Sequence, residues 1–140
     1  MAFPVAKIFN SLPRFKGKLP LAKLLIANKN QKRSFISPNG LRYTIPNLIE
    51  NVSFELYVNG IYEQETIEHI CDIVPQNGVF IDVGANIGAI CIEVAARRPD
   101  ITVFAFEASP KVYWFLNENK NQNNLYNLNT FNLAVHELGG

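Results

Sequence analysis

The chain has 140 residues, 48% of them apolar and 18% charged, a composition that excludes a disordered or fibrous protein and fits a folded globular one. No apolar run approaches the roughly 18 residues that span a bilayer, and Pro4 and Lys7 interrupt the start too early for a secretory leader. Two cysteines, Cys71 and Cys91, and two isolated histidines, His69 and His136, offer no metal-ligand cluster; reduced, buried thiols in a cytoplasmic protein are expected.

The net charge of +1 hides an asymmetry. Residues 1–49 carry nine Lys and Arg and no acid, while all twelve acidic side chains lie after them. Such a basic leader can meet an anionic lipid face, nucleic acid or the protein's own acidic body. Docking on its own acidic body is the simplest of these, and contact with a membrane is a lesser expectation. The aromatics are not interleaved with the charges as base stacking requires, so no nucleic-acid partner is expected.

Along the chain, Pro20–Ala27 reads as a short helix with proline in its first turn and Leu21, Leu24 and Leu25 on one face. That face could lie on a membrane surface, but core contact is the ordinary role of three leucines. Ser34–Ile45 reads as a β-hairpin in which Asn39-Gly40 supplies positive φ angles, with Leu41, Tyr43 and Ile45 on one side. Val52–Val58 fits either a strand or a helix ending near Gly60. Glu63–Val74 is helical, with a stripe of Ile67, Ile70, Cys71 and Val74.

Val79–Val83 is apolar on both faces apart from Asp82, as in a parallel strand covered on both sides. Ile87–Arg98 is expected to be the next helix, with a Glu93–Arg97 pair, and Ile101–Phe106 the next strand. Ser109-Pro110 opens another helix. The asparagines of 117–127 favour turns over helix interior. Leu128–Val135 is a third strand, and Gly139-Gly140 a turn. The alternation of strands and helices gives the fold class: an α/β, incomplete Rossmann-like parallel sheet, with a basic N-terminal extension over residues 1–50 and the Rossmann-like half over 51–140.

The chemistry concentrates in Asp82-Val-Gly84-Ala85-Asn86-Ile-Gly88 and in Glu107. A ligand at the carboxyl end of the sheet meets this turn first. Gly84 lets backbone touch ligand, Gly88 permits close approach at the start of the helix, and the helix N-terminus offers N–H groups to an anion. Asp82 can hydrogen-bond or pair with a cation there. Glu107, at the end of the next strand, can accept both hydroxyls of a ribose. The dinucleotide fingerprint itself fails, because Asn86 and Ala89 stand where glycines are needed for a pyrophosphate. A ligand with ribose and no pyrophosphate fits better, and S-adenosylmethionine is one. A nucleotide-sugar or NAD enzyme is the competing reading.

Gly60-Ile-Tyr62-Glu63, Phe80–Gly88, Ala105-Phe-Glu107 and the series Pro110, Tyr113, Leu116, Asn119, Asn123, with the small Ala134 after the third strand, resemble the FkbM-type S-adenosylmethionine-dependent methyltransferases. Ala108 departs from the proline usual after the Glu. The resemblance implies that Asp82, Gly84, Ala85, Asn86, Gly88 and Glu107 line the cofactor site, with Tyr62 and Glu63 approaching from the preceding segment. It also implies O-methylation of a hydroxyl acceptor such as a sugar, another glycan or a secondary metabolite. His136 is a candidate base that nothing in the sequence orients. The family's sheet has seven strands. The chain is therefore expected to be a first half, with an uncovered sheet edge, and either inactive alone or completed by a partner chain.

Overall fold

A computed structural model describes residues 5–135. They form two compact units, 1–62 and 63–140, so the segment after residue 50 stays with the basic leader up to Tyr62. His136 and the Gly139-Gly140 turn lie outside the described residues.

The first unit contains α1 (Val5–Ser11), α2 (Lys18–Leu25), β1 (Arg33–Ile36), β2 (Arg42–Ile45) and α3 (Asn51–Asn59). Helix α1 is unanticipated. Ala6 and Phe9 bury its inner face, and Asn10 donates to the carbonyls of Tyr57 and Val58 at 2.9 and 3.1 Å. The hairpin forms, antiparallel, with Phe35 opposite Tyr43. Its turn is longer than the two-residue form: Ser37 N–H donates to Leu41, Gly40 N–H donates to Ser37, and Gly40 alone takes positive φ (83°). Pro38 and the left-handed Gly40 thus make a three-residue loop. The ambiguous segment is helix α3, ended by Gly60 at φ 76°. A side chain there would collide with the Pro38 ring, its Cβ 2.3 Å from Cδ. That contact and the left-handed backbone decide for helix over strand.

The expectation for α2 is overturned. Lys18, Ala22 and the following Ile26 turn inward, while Leu21, Leu24 and Leu25 are 42, 82 and 62% exposed. Lys18 is held inside by donating from Nζ to the Leu12 carbonyl at 2.9 Å. Burial, with Arg14 nearby, lowers its pKa.

The second unit is α4 (Gln64–Ile73), β3 (Val79–Val83), α5 (Cys91–Arg97), β4 (Thr102–Phe106), α6 (Pro110–Gln122) and β5 (Leu128–Phe131). The three strands pair in parallel in the order β3-β4-β5. In register, Phe80, Val103 and Leu128 share one face with Asp82, Ala105 and Thr130. Val103, Ala105 and Leu128 are fully buried there. Thr130 meets α6 through Asn117 and Tyr113. The opposite face is bare: Val79, Ile81 and Val83 are 55, 58 and 57% exposed. The expectation that β3 is covered on both sides therefore fails for the described residues. On that bare face Phe131 stacks on Phe106 and Phe104, with centroids 5.0 and 6.3 Å apart.

Three further boundaries move. Helix α5 begins at Cys91, not Ile87, because Asn86 (φ 53°) and Gly88 (φ 89°) are left-handed and cannot be helical. Helix α6 runs through the asparagines to Gln122, and strand β5 stops at Phe131, short of Val135. Asn119, inside α6, makes a long-range bond that outweighs its local preference for turns, and Asn127 sits in the turn before β5. Asn119 is fully buried and donates to Ile87 O at 2.9 Å. Asn127 Nδ2 faces the carbonyls of Ala95, Arg98 and Ile101, each at 3.1 Å. No described helix is long and apolar enough to cross a membrane.

Candidate cofactor site

The carboxyl ends of β3 and β4 are tied together by one short network. The N–H groups of Gly84 and Ala85 both donate to Phe106 O, each at 2.9 Å. The next N–H, of Asn86, donates to Glu107 Oε2 at 2.9 Å. The other carboxylate oxygen, Oε1, accepts Ser109 N–H at 2.9 Å. Glu107 is thus fixed at both oxygens by backbone donors from two loops. A carboxylate has about four lone-pair sites, so about two remain for an incoming pair of hydroxyls. Ser109 also caps α6 through Val112 N–H, and Asn132 ties down the carbonyls of Glu107 and Ala108 at 2.9 and 3.1 Å.

The two glycines have different jobs. Gly84 is left-handed (φ 77°), and nothing lies within 4 Å of where a Cβ would stand, so its surface is open beside Glu107. Gly88 is also left-handed, but its Cβ would sit 2.6 Å from Ile92 Cδ1 and 2.9 Å from Leu116 Cδ1. The protein's own side chains fill that space. Gly88 is therefore held to glycine by packing on its Cβ side. Asn86 satisfies its left-handed turn locally, its Oδ1 accepting Ile87 N–H at 2.8 Å. Ala85 is buried beneath the turn.

Asp82 points to the head of α5, where its carboxylate accepts hydrogen bonds from the thiol and backbone N–H of Cys91. Burial raises its pKa, and those two bonds offset part of the rise. The same burial, reinforced by the Asp82 charge, pushes the Cys91 thiol well up. The head of α5 thus has an internal carboxylate beside it. Cys91 is buried and Cys71 half-buried, both free thiols. The anticipated Glu93–Arg97 pair forms at 3.2 Å.

The structure brings Gly84, Ala85, Asn86 and Glu107 into one cluster at the same end of the sheet. Tyr62 ends the first unit. Glu63 is exposed at the head of α4, with a left-handed backbone (φ 44°) and no capping bond from its side chain. Asn119 and Asn132 support the site yet carry no chemistry that marks them in sequence. Asn119 is marked only by its place in the series Pro110, Tyr113, Leu116, Asn119, Asn123, and Asn132 carries no signal. Among the described residues no group of His, Cys, Asp and Glu could hold a metal ion.

The fold is Rossmann-like. No family model matches the chain. The antimetabolite synthetase AmbE of Pseudomonas aeruginosa is 38% identical over 72 residues, which is 50% of this chain and 3% of that protein. The methyltransferase sdnD of Sordaria araneosa is 34% identical over 61 residues, 42% of this chain and 24% of that protein. The chain thus spans about a quarter or less of the curated relatives it matches. Among solved structures, TYW2 of M. jannaschii in complex with AdoMet superposes with a TM-score of 0.56 at 22% identity, covering 78% of this chain and 46% of that one. Trm5b of Pyrococcus abyssi gives 0.54 at 18%, covering 76% and 29%.

Proposed function

We propose that residues 63–140 form the cofactor-binding half of an S-adenosylmethionine-dependent methyltransferase that acts on the hydroxyl of a small molecule or glycan. The observation that carries this reading is Glu107. It is anchored by Asn86 and Ser109 with lone pairs left over, beside an unobstructed Gly84. A ribose diol fits those lone pairs, and the open backbone of Gly84 accommodates the rest of the nucleoside. The local sequence likeness to sdnD and the FkbM-type pattern at 79–123 support the same reading. When bound, the cofactor supplies an electrophilic sulfonium methyl. The work of this chain is to bind and orient it. The two free thiols are compatible with a cytoplasmic setting.

Isothermal titration of the 140-residue chain with S-adenosylhomocysteine and with NAD tests the proposal. Tighter binding of S-adenosylhomocysteine is expected. Glu107→Ala should weaken it by roughly 10- to 100-fold, the worth of hydrogen bonds to a charged acceptor. NAD binding equally well or better overturns the assignment.

The bare sheet face favours a second reading, a non-catalytic half completed by a partner chain. Sedimentation separates the two. A well-behaved monomer that binds S-adenosylhomocysteine counts against any need for a partner.

A further inference from the structure

We infer that the exposed leucine ridge of α2 and the cations gathered at its C-terminal end form a docking surface for an anionic lipid bilayer. Helix α2 presents Leu21, Leu24 and Leu25 to solvent while burying a lysine, the reverse of what a soluble helix does with those residue types. Phe15, between Arg14 and Lys16 just before the helix, is exposed as well.

Positive charge converges where the helix ends. Lys29 donates from Nζ to the Lys23 carbonyl, and the Arg33 guanidinium donates to the carbonyls of Ala27 and Asn28 at 2.9 and 3.0 Å. Lys23 lies on the helix itself, 5.6 Å from the centre of the Phe54 ring. Of these carbonyls, that of Lys23 lies in the last turn of α2, the negative end of the helix dipole, which favours a cation there. Residues 1–49 contain no carboxylate, so the nine cations there outnumber the two acids that follow before Tyr62, Glu50 and Glu55. A polar depression of about 420 Å³ lined by Ile26, Asn28, Lys29, Asn30 and Gln31 adjoins the same end. Amide and ammonium donors beside exposed leucines match a phosphate headgroup above acyl chains.

A protein partner would also cover leucines, but an apolar ridge flanked by cations matches an anionic bilayer in both its apolar and its charged parts. Nucleic acid would use the cations and leave the leucines idle.

The test is co-sedimentation of the full 140-residue chain with phosphatidylcholine vesicles, with and without 30% phosphatidylserine, at low and high salt. Binding is expected only with phosphatidylserine, and salt should weaken it. Each cation neutralised (Lys23→Gln, Lys29→Gln) should cost roughly fivefold. Leu24→Glu with Leu25→Glu should cost at least about tenfold more. Both leucines are exposed, so folding is checked simply by an unchanged melting curve. Hydrogen exchange should show new protection over residues 18–25 on vesicles. Three results overturn the inference: no binding to phosphatidylserine vesicles, binding indifferent to the leucine substitutions, or self-association that those substitutions abolish.

Discussion

The two faces of the β3-β4-β5 sheet are built from the same three strands and meet opposite fates. Under α5 and α6, Val103, Ala105 and Leu128 are sealed from water. On the opposite face Val79, Ile81 and Val83 of β3 stand more than half exposed, with Phe104 and Phe106 of β4 and Phe131 of β5 stacked beside them. Apolar sequence does not by itself create core; a covering layer does. The candidate site sits at the rim between these faces and owes its order to the covered one. Asn119 and Gly88 reach it from that side.

That contrast can be broken by substitution. Leu128→Ala on the sealed face should cost about 2–5 kcal/mol in urea unfolding, as large-to-small changes in a packed core do. Ile81→Ala on the bare face should fall within about 0.5 kcal/mol of zero. Equal losses would mean that the bare face is covered in solution. Gly88→Ala, which forces a left-handed alanine against Ile92 and Leu116, should cost about 2–4 kcal/mol by the same measurement. Asn119→Ala leaves the Ile87 carbonyl buried without its donor and should cost about 1–3 kcal/mol. It should also weaken S-adenosylhomocysteine binding, since the loop that presents Asn86 N–H to Glu107 is loosened.

The smallest effect concerns pH. The Asp82 carboxyl titrates above its ordinary value of 3.8 because burial penalises its charge. The native state therefore holds that proton more tightly than the unfolded chain. Its contribution to stability is greatest below 3.8 and is lost as pH rises through the higher folded value. Asp82→Asn should remove that part of the slope in a series of melts from pH 3 upward. An unchanged slope would show that the carboxylate is solvated.

Much of this was legible in the residues. Apolar runs of five with turn residues between them located β3 and β4, and the interval from Gly84 to Glu107 brought both to one sheet end. Ser109-Pro110 marked a cap that forms as read. What escaped depended on contacts between distant residues. The asparagines of α6 and the β5 approach are helix-averse locally, yet Asn119 and Asn127 find carbonyls 26–32 residues away. The late start of α5 follows from two left-handed residues, and Asn86 gave no warning of being one. Nor could periodicity tell which side of α2 faces outward. A leucine stripe specifies a face, and only the neighbouring elements decide whether that face finds cover.

The phenylalanine stack has a consequence during synthesis. Once residues 79–131 have left the ribosome, the chain carries a flat, adhesive aromatic strip of Phe104, Phe106 and Phe131 with no lid of its own among the described residues. Nascent chains in that condition are bound by holdase chaperones or lost to precipitation. Expression yield should therefore track chaperone supply more closely than it tracks melting temperature.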